Sequence, residues 1–164
     1  MEFHTIEPVF DSKSNILILG SFPSVKSRET EFFYGHPQNR FWKVLAAVFE
    51  EDTPQTVPEK KSFLLKNHIA LWDVIASCEI TNSDDSTIRN VRVNDIAQIL
   101  NQAQIQEIYV AGKAAQKCYN RYLRDALGRE AVCLPSTSPA NACWNFNRLV
   151  KAWQCIRLDN RDTK

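Results

Sequence analysis

A chain of 164 residues, 44% of them hydrophobic, can bury one sizeable core and needs no second domain, disulfide or structural metal to stay folded. Twenty Lys and Arg against nineteen Asp and Glu leave a formal charge of +1, which excludes a protein-wide positive field that would bind any nucleic acid, so such a partner has to be held by a local patch. The opening MEFHTIEPVF lacks the basic segment and apolar core of a secretory leader, and no run approaches the ~20 apolar residues of a membrane span; the expectation is a soluble, cytoplasmic chain.

In chain order, residues 3–11 read as an irregular arm or short edge strand, and residues 16–19 (ILIL) as the first buried strand. Phe41, Trp42, Leu45, Ala46, Val48 and Phe49 recur near one face and predict a helix over 38–50 behind Pro37. Pro54 and Pro58 bracket a turn, a second helix covers about 59–67, and 69–75 (IALWDVI) predicts a strand. Within 78–90 the polar run NSDDS reads as loop, either a rim of a site or a solvated connection. Asn94 or Asp95 is placed to cap a helix running to about 101, residues 105–111 form the next strand, and 113–127 a helix stopped by Gly128. A last strand over 132–134 and a last helix over 144–156 follow, with 159–164 a frayed tail. Strands alternating with helices predict a single α/β domain: a three-layer α/β/α sandwich on a mostly parallel, four-stranded central sheet.

Two apolar strands empty into polar loops: 16–19 into Gly20-Ser21-Phe22-Pro23-Ser24, and 132–134 into Pro135-Ser136-Thr137-Ser138-Pro139-Ala140-Asn141. Open α/β sheets build their sites at the carboxyl ends of strands, so the two loops suggest one cleft. Gly20 lets backbone approach a ligand, Pro23 stiffens the first loop, and Ser24 and Ser27 add small donors, a surface suited to a phosphate or an oxyanion. Lys26, Arg28, Arg40 and Lys43 make a local positive patch available, although Lys43 alone is a routine solvated helix residue. Neither GxxxxGK[ST] nor GxGxxG is present, which leaves ATPases and dinucleotide enzymes unsupported, and no GxSxG elbow supports an α/β hydrolase.

The aromatics Phe32, Phe33 and Tyr34 either wall a planar ligand or, for the two Phe, close the core while Tyr34 lies on the surface. Asn39, at the predicted helix start, either caps the helix or points its amide across the cleft, where the carbonyl positions water and the NH2 donates to a base. The Ser-Thr-Ser loop is either a stiff contact surface or a turn before the last helix. Cys78, Cys118, Cys133, Cys143 and Cys155 are odd in number with no CxxC pair, so they read as unpaired thiols in a reducing compartment. His4, His36 and His68 lack metal-ligand spacing; no metal is expected.

The segments GSFPSVKS, YGHPQNRFWKVL and LPSTSPAN together resemble the uracil-DNA glycosylase superfamily, in particular its hypoxanthine-DNA (deoxyinosine) glycosylase branch; HPxNRFWKV also resembles the mismatch-specific uracil branch. Phe22 stands where the mismatch-specific branch carries Asn and the main uracil branch Asp, and Leu134 stands where the main branch has a catalytic His, departures that argue against ordinary uracil excision. The resemblance implies a monofunctional N-glycosylase without cofactor, acting as a monomer on double-stranded DNA containing deaminated bases. It places catalysis on Asn39, stacking of the flipped base on Tyr34, and stabilisation of the departing base on Gly20, Ser21, Phe22, Pro23 and Ser24. His36 and Asp73 are supporting candidates. Pro135, Ser136, Thr137, Ser138, Pro139 and Asn141 form the DNA-binding loop, Ser136 and Ser138 as phosphate donors. The alternatives are a mismatch-specific uracil or thymine glycosylase and a non-catalytic lesion-binding protein.

Overall fold

The computed structural model describes residues 2–3, 6–81 and 84–157. The predicted tail and part of the NSDDS run lie outside the described residues. Four parallel strands form the central sheet in the order β3-β2-β6-β7, with β2 at Ile16–Gly20, β3 at Ile69–Asp73, β6 at Glu107–Ala111 and β7 at Val132–Leu134. Ile16, Leu17, Ile18 and Leu19 are at most 1% exposed, because β2 is paired on both edges and covered on both faces. Truncating one of them to Ala costs about 2–5 kcal/mol of stability.

Helices flank the sheet. The first, α1, is Val25–Thr30, and α2 is Phe41–Phe49, which packs on α7, Phe146–Trp153, with the rings of Phe41 and Trp153 edge to face at 5.7 Å. Helix α3, Val57–Lys66, starts with a reciprocal cap between Thr56 and Glu59 and packs on β3. Helix α4, Ala97–Gln102, precedes β6, and α5, Lys113–Tyr122, packs back on it. No helix of the described residues is long and apolar enough to cross a membrane.

The structure corrects several expected elements. Residues 84–86 of the NSDDS run are not loop but strand: β4 (Ile75–Thr81) and β5 (Asp84–Val93) form an antiparallel ribbon, joined by β1 (Glu2–Phe3) in a second sheet ordered β1-β4-β5. The ribbon pairing shifts register three times, and each shift breaks the alternation by which a half-buried strand is recognised. The strand expected over 69–75 is therefore two strands hinged at Val74. Pro58 lies in the first turn of α3, where its missing N–H costs nothing. Neither Asn94 nor Asp95 caps α4, which begins behind Ile96 without a side-chain cap; Asn94 Nδ2 instead donates to the Asp73 carbonyl at 2.9 Å. The helix expected over 113–127 breaks at Leu123 into α5 and the short α6, Arg124–Leu127, which ends on Gly128 at φ +65°. Asn145 caps α7, and Gln154–Ile156 tightens into a 3-10 turn.

Candidate active site

At the carboxyl ends of β2, β3 and β6 a cavity of about 140 Å³ opens between the two polar loops. From the first loop it is lined by Gly20, Ser21, Phe22, Pro23 and Ser24, and beyond α1 by Tyr34 and Asn39. Asp73 lines it from the end of β3, and Ser136, Thr137 and Ser138 from the second loop. The two loops thus share one cleft, as the strand ends suggested.

Strand register sets its floor. Gly20 pairs with Asp73, and the loop after β2 is tied to the chain after β3 by Val74 N donating to the Gly20 carbonyl and Ile75 N to the Ser21 carbonyl. A Cβ on Gly20 would lie 2.5 Å from Asp73 Oδ1 and 3.0 Å from the Tyr34 hydroxyl, so only glycine lets these two groups reach the same point. Asp73 is 3% exposed and is the one carboxylate lining the cavity among the described residues.

Tyr34 is held in a left-handed backbone conformation, φ +52°, and its ring stacks on Phe41 at 3.8 Å and 9°. Phe32 and Phe33 close the core, as the second reading of the aromatic run had it, with Phe33 also touching the cavity. Ser24 caps α1 by accepting from Ser27 N at 3.1 Å, and Ser27 Oγ accepts from Gly35 N at 2.9 Å, fixing the segment that carries Tyr34. Phe22 is buried in the wall, with the Arg28 guanidinium 5.1 Å over its ring.

Asn39 lies outside the helix it was expected to enter. Its Oδ1 accepts from Phe41 N at 2.9 Å, starting α2 from two residues upstream, and also from the Thr137 hydroxyl at 2.8 Å. Thr137 is 2% exposed. Arg40 supports this contact: its N and Nε donate to the Thr137 carbonyl at 3.1 and 3.4 Å, Nη2 to the Ser138 and Asn141 carbonyls at 2.9 and 3.3 Å, and Nη1 to the Trp144 carbonyl. Arg40 is therefore a clamp on the second loop and not a member of an open positive patch. Arg28 covers Phe22 and Lys43 is exposed on α2, while the Lys26 side chain lies outside the described residues.

His36, Pro135, Pro139 and Asn141 do not line the cavity. His36 is exposed and organises a turn, its Nδ1 accepting from Gln38 N at 3.1 Å and its carbonyl from Asn39 N at 3.0 Å. Pro135 anchors the second loop through its carbonyl, which accepts from Trp153 Nε1 at 3.0 Å, and Asn141 folds the loop by donating to the Ser136 carbonyl at 2.9 Å. Ser136 and Ser138 hydroxyls each accept a backbone N–H at 3.1 Å, and each keeps an O–H as a donor. Sequence reasoning missed Ala111 as a lining residue, although its strand runs into Gly112 just as β2 runs into its own polar loop.

The profile of the uracil DNA glycosylase superfamily matches residues 7–157, nearly the whole described chain. The chain belongs to the uracil DNA glycosylase superfamily. It is 35% identical over 150 residues to a hypoxanthine DNA glycosylase of Methanosarcina acetivorans, covering 90% of this chain and 93% of that one. It is 34% identical over 136 residues to a hypoxanthine DNA glycosylase of Methanosarcina barkeri, covering 82% and 85%. Among solved structures, the solution NMR structure of a Methanosarcina acetivorans protein superposes with a TM-score of 0.80 at 31% identity, covering 93% of this chain and 94% of that one.

Proposed function

We propose that this glycosylase releases hypoxanthine from deoxyinosine in double-stranded DNA, acting as a monomer and with water as its only co-reactant. The observation that carries the reading is the convergence of Asn39, Tyr34 and the buried Asp73 on one cavity with room for a single planar base. The hypoxanthine DNA glycosylases to which the chain is similar support the choice of base.

A base inside a duplex cannot reach this cavity, so the nucleotide has to swing out of the stack, at a cost of a few kcal/mol that is least at a mismatch. The sugar stays at the mouth because the backbone holds it, and the far edge of the purine goes deepest. Asp73 lies at that depth. Its carboxylate accepts from N1–H of hypoxanthine, whereas adenine would set its N1 lone pair against the carboxylate. Tyr34, braced from behind by Phe41, stacks on the base. Breaking the C1′–N9 bond sends its electron pair into the purine and leaves positive charge on the sugar, which the DNA phosphates favour. Water oxygen then joins C1′, and the proton it sheds ends on the purine. Asn39 is the catalytic residue that meets the departing base, and the Ser136 and Ser138 hydroxyls donate to backbone phosphates.

The test is base release from duplexes carrying deoxyinosine, uracil, xanthine or ethenocytosine. Hypoxanthine release is expected; strong uracil release with none of hypoxanthine would overturn the substrate assignment. Tight lesion binding without any abasic product would favour a lesion-binding protein.

A further inference from the structure

We propose that Thr137 is a positioning residue that locks the Asn39 amide with its oxygen turned away from substrate, so that Asn39 acts on the departing base as a hydrogen-bond donor through Nδ2 and does not hold water through its carbonyl. The proposal rests on the function proposed above and refines it.

The orientation follows from chemistry. The backbone N–H of Phe41 is a donor only, so the Asn39 side-chain atom 2.9 Å from it has to be oxygen; an NH2 there would set donor against donor. The Thr137 hydroxyl reaches the same oxygen at 2.8 Å. A carbonyl oxygen has two lone pairs, and both are taken. What Asn39 offers the cavity is Nδ2 with its two N–H bonds, and no acceptor among the described residues takes them.

Turning the amide over would set Nδ2 against the Phe41 N–H, donor against donor, and would force the Thr137 hydroxyl to give up donating and accept instead. Burial of Thr137 keeps water from competing for its bond to Asn39, and the two bonds from Arg40 to the Thr137 carbonyl keep the hydroxyl in place. Asn39 is half-buried where Asp73 is buried, so it lies nearer the mouth and the purine nitrogens that flank N9. As the C1′–N9 bond breaks, these nitrogens gain negative charge, and a fixed N–H donor stabilises that charge more than it stabilises the intact nucleotide. No proton is transferred to or from Asn39.

Aspartate separates this account from one in which Asn39 positions water. In Asn39→Asp one oxygen keeps the bonds from Phe41 and Thr137, and the other presents an anionic acceptor to the cavity. A water-positioning site would tolerate or gain from that change; a donor site loses its donor and repels the departing base.

The experiment is single-turnover base release from a deoxyinosine duplex at saturating enzyme. Asn39→Asp is expected to be no faster than Asn39→Ala at pH 8, about 10²-fold or more below wild type. Its rate relative to wild type is expected to rise as pH falls, because a protonated carboxyl regains an O–H donor. Thr137→Val is expected to lose about 10-fold or more through a loosened amide, and Thr137→Ser to recover most of it. Wild-type rates for Asn39→Asp at pH 8, or for Thr137→Val, would overturn the proposal. If wild type releases uracil and no hypoxanthine, the substrate reading fails while the same comparison on uracil still tests the donor. If wild type releases no base, the proposed function fails, and the lock is read by NMR as a through-hydrogen-bond coupling from Phe41 15N to the Asn39 side-chain carbonyl carbon; absence of that coupling in a protein showing others within α2 would overturn it.

Discussion

Replacing Arg40 by Met keeps the length and apolar stem of the side chain and removes the guanidinium that gathers the carbonyls of residues 137, 138, 141 and 144. Of its four side-chain bonds, those to Ser138 and Trp144 are the short ones, and those to Thr137 and Asn141, at 3.4 and 3.3 Å, are long. A hydrogen bond involving a charged partner contributes about 1.5–3 kcal/mol, so the two short ones set a ceiling of about 6 kcal/mol. The guanidinium is only half-buried and water can reach some of the released carbonyls, which brings the expected loss to about 3 kcal/mol. For a chain of this size that lowers the thermal midpoint by roughly 6–12 °C. Urea unfolding followed by Trp fluorescence measures it directly. Duplex affinity should fall as the loop loses its shape, while the slope of log affinity against log salt should hold steady, because the serine hydroxyls are uncharged and no cation is taken from a phosphate. A variant as stable as wild type, with weakened binding and a salt slope reduced by about one, would mean that Arg40 meets a phosphate and that the clamp reasoning is wrong.

Tyr34→Phe should keep most activity, whereas Tyr34→Leu should weaken capture of the flipped base by about 1–3 kcal/mol; equal rates for Leu and wild type at low substrate would reject the stacking role. Gly20→Ala puts a methyl against Asp73 and the Tyr34 hydroxyl, so hypoxanthine release should drop while the fold survives, which circular dichroism and a rate assay together check. Replacing Ser136 and Ser138 by Ala while leaving Thr137 in place should weaken duplex binding, with the single-turnover rate at saturation largely retained; loss of rate at unchanged affinity would place chemistry in those hydroxyls. Among the thiols, the exposed Cys143 should be alkylated first, and Cys133 should lag, because burial raises its pKa against the opposing pull of Lys113; mass spectrometry of a timed reaction with iodoacetamide reads the order.

The parallel sheet was legible because β2, β6 and β7 are short, largely apolar runs emptying into Gly or Pro, a pattern that survives without knowledge of any neighbour, whereas β3 runs on into Val74-Ile75 and its end was hidden. The ribbon of β4 and β5 was not, since bulges broke its alternation and its charged residues look like loop. Local chemistry pointed to the loops after β2 and β7, and the family resemblance to Tyr34 and Asn39; Gly20, Tyr34, Asn39, Asp73 and the Ser-Thr-Ser run all line the candidate cavity. What stayed hidden was pairing across the chain. Thr137 and Asn39 are 98 residues apart, and nothing in either residue announces the other. Arg40 reads as part of a local positive patch because an arginine in a polar stretch carries its charge visibly, whereas the backbone carbonyls that hold it have no sequence signature. For the same reason the second loop, read as a DNA-contact surface or a turn before the last helix, also holds the residue proposed for catalysis.

The most direct test of the account is the appearance of abasic sites in a deoxyinosine duplex, read by alkaline strand cleavage, for wild type beside Asn39→Ala. Conversion by wild type, with the variant slower by about 10²-fold or more at saturating enzyme while binding the duplex nearly as well, is the predicted result. Equal conversion by a folded Asn39→Ala protein, or no conversion by wild type of a deoxyinosine duplex under conditions in which it cleaves uracil, would contradict it.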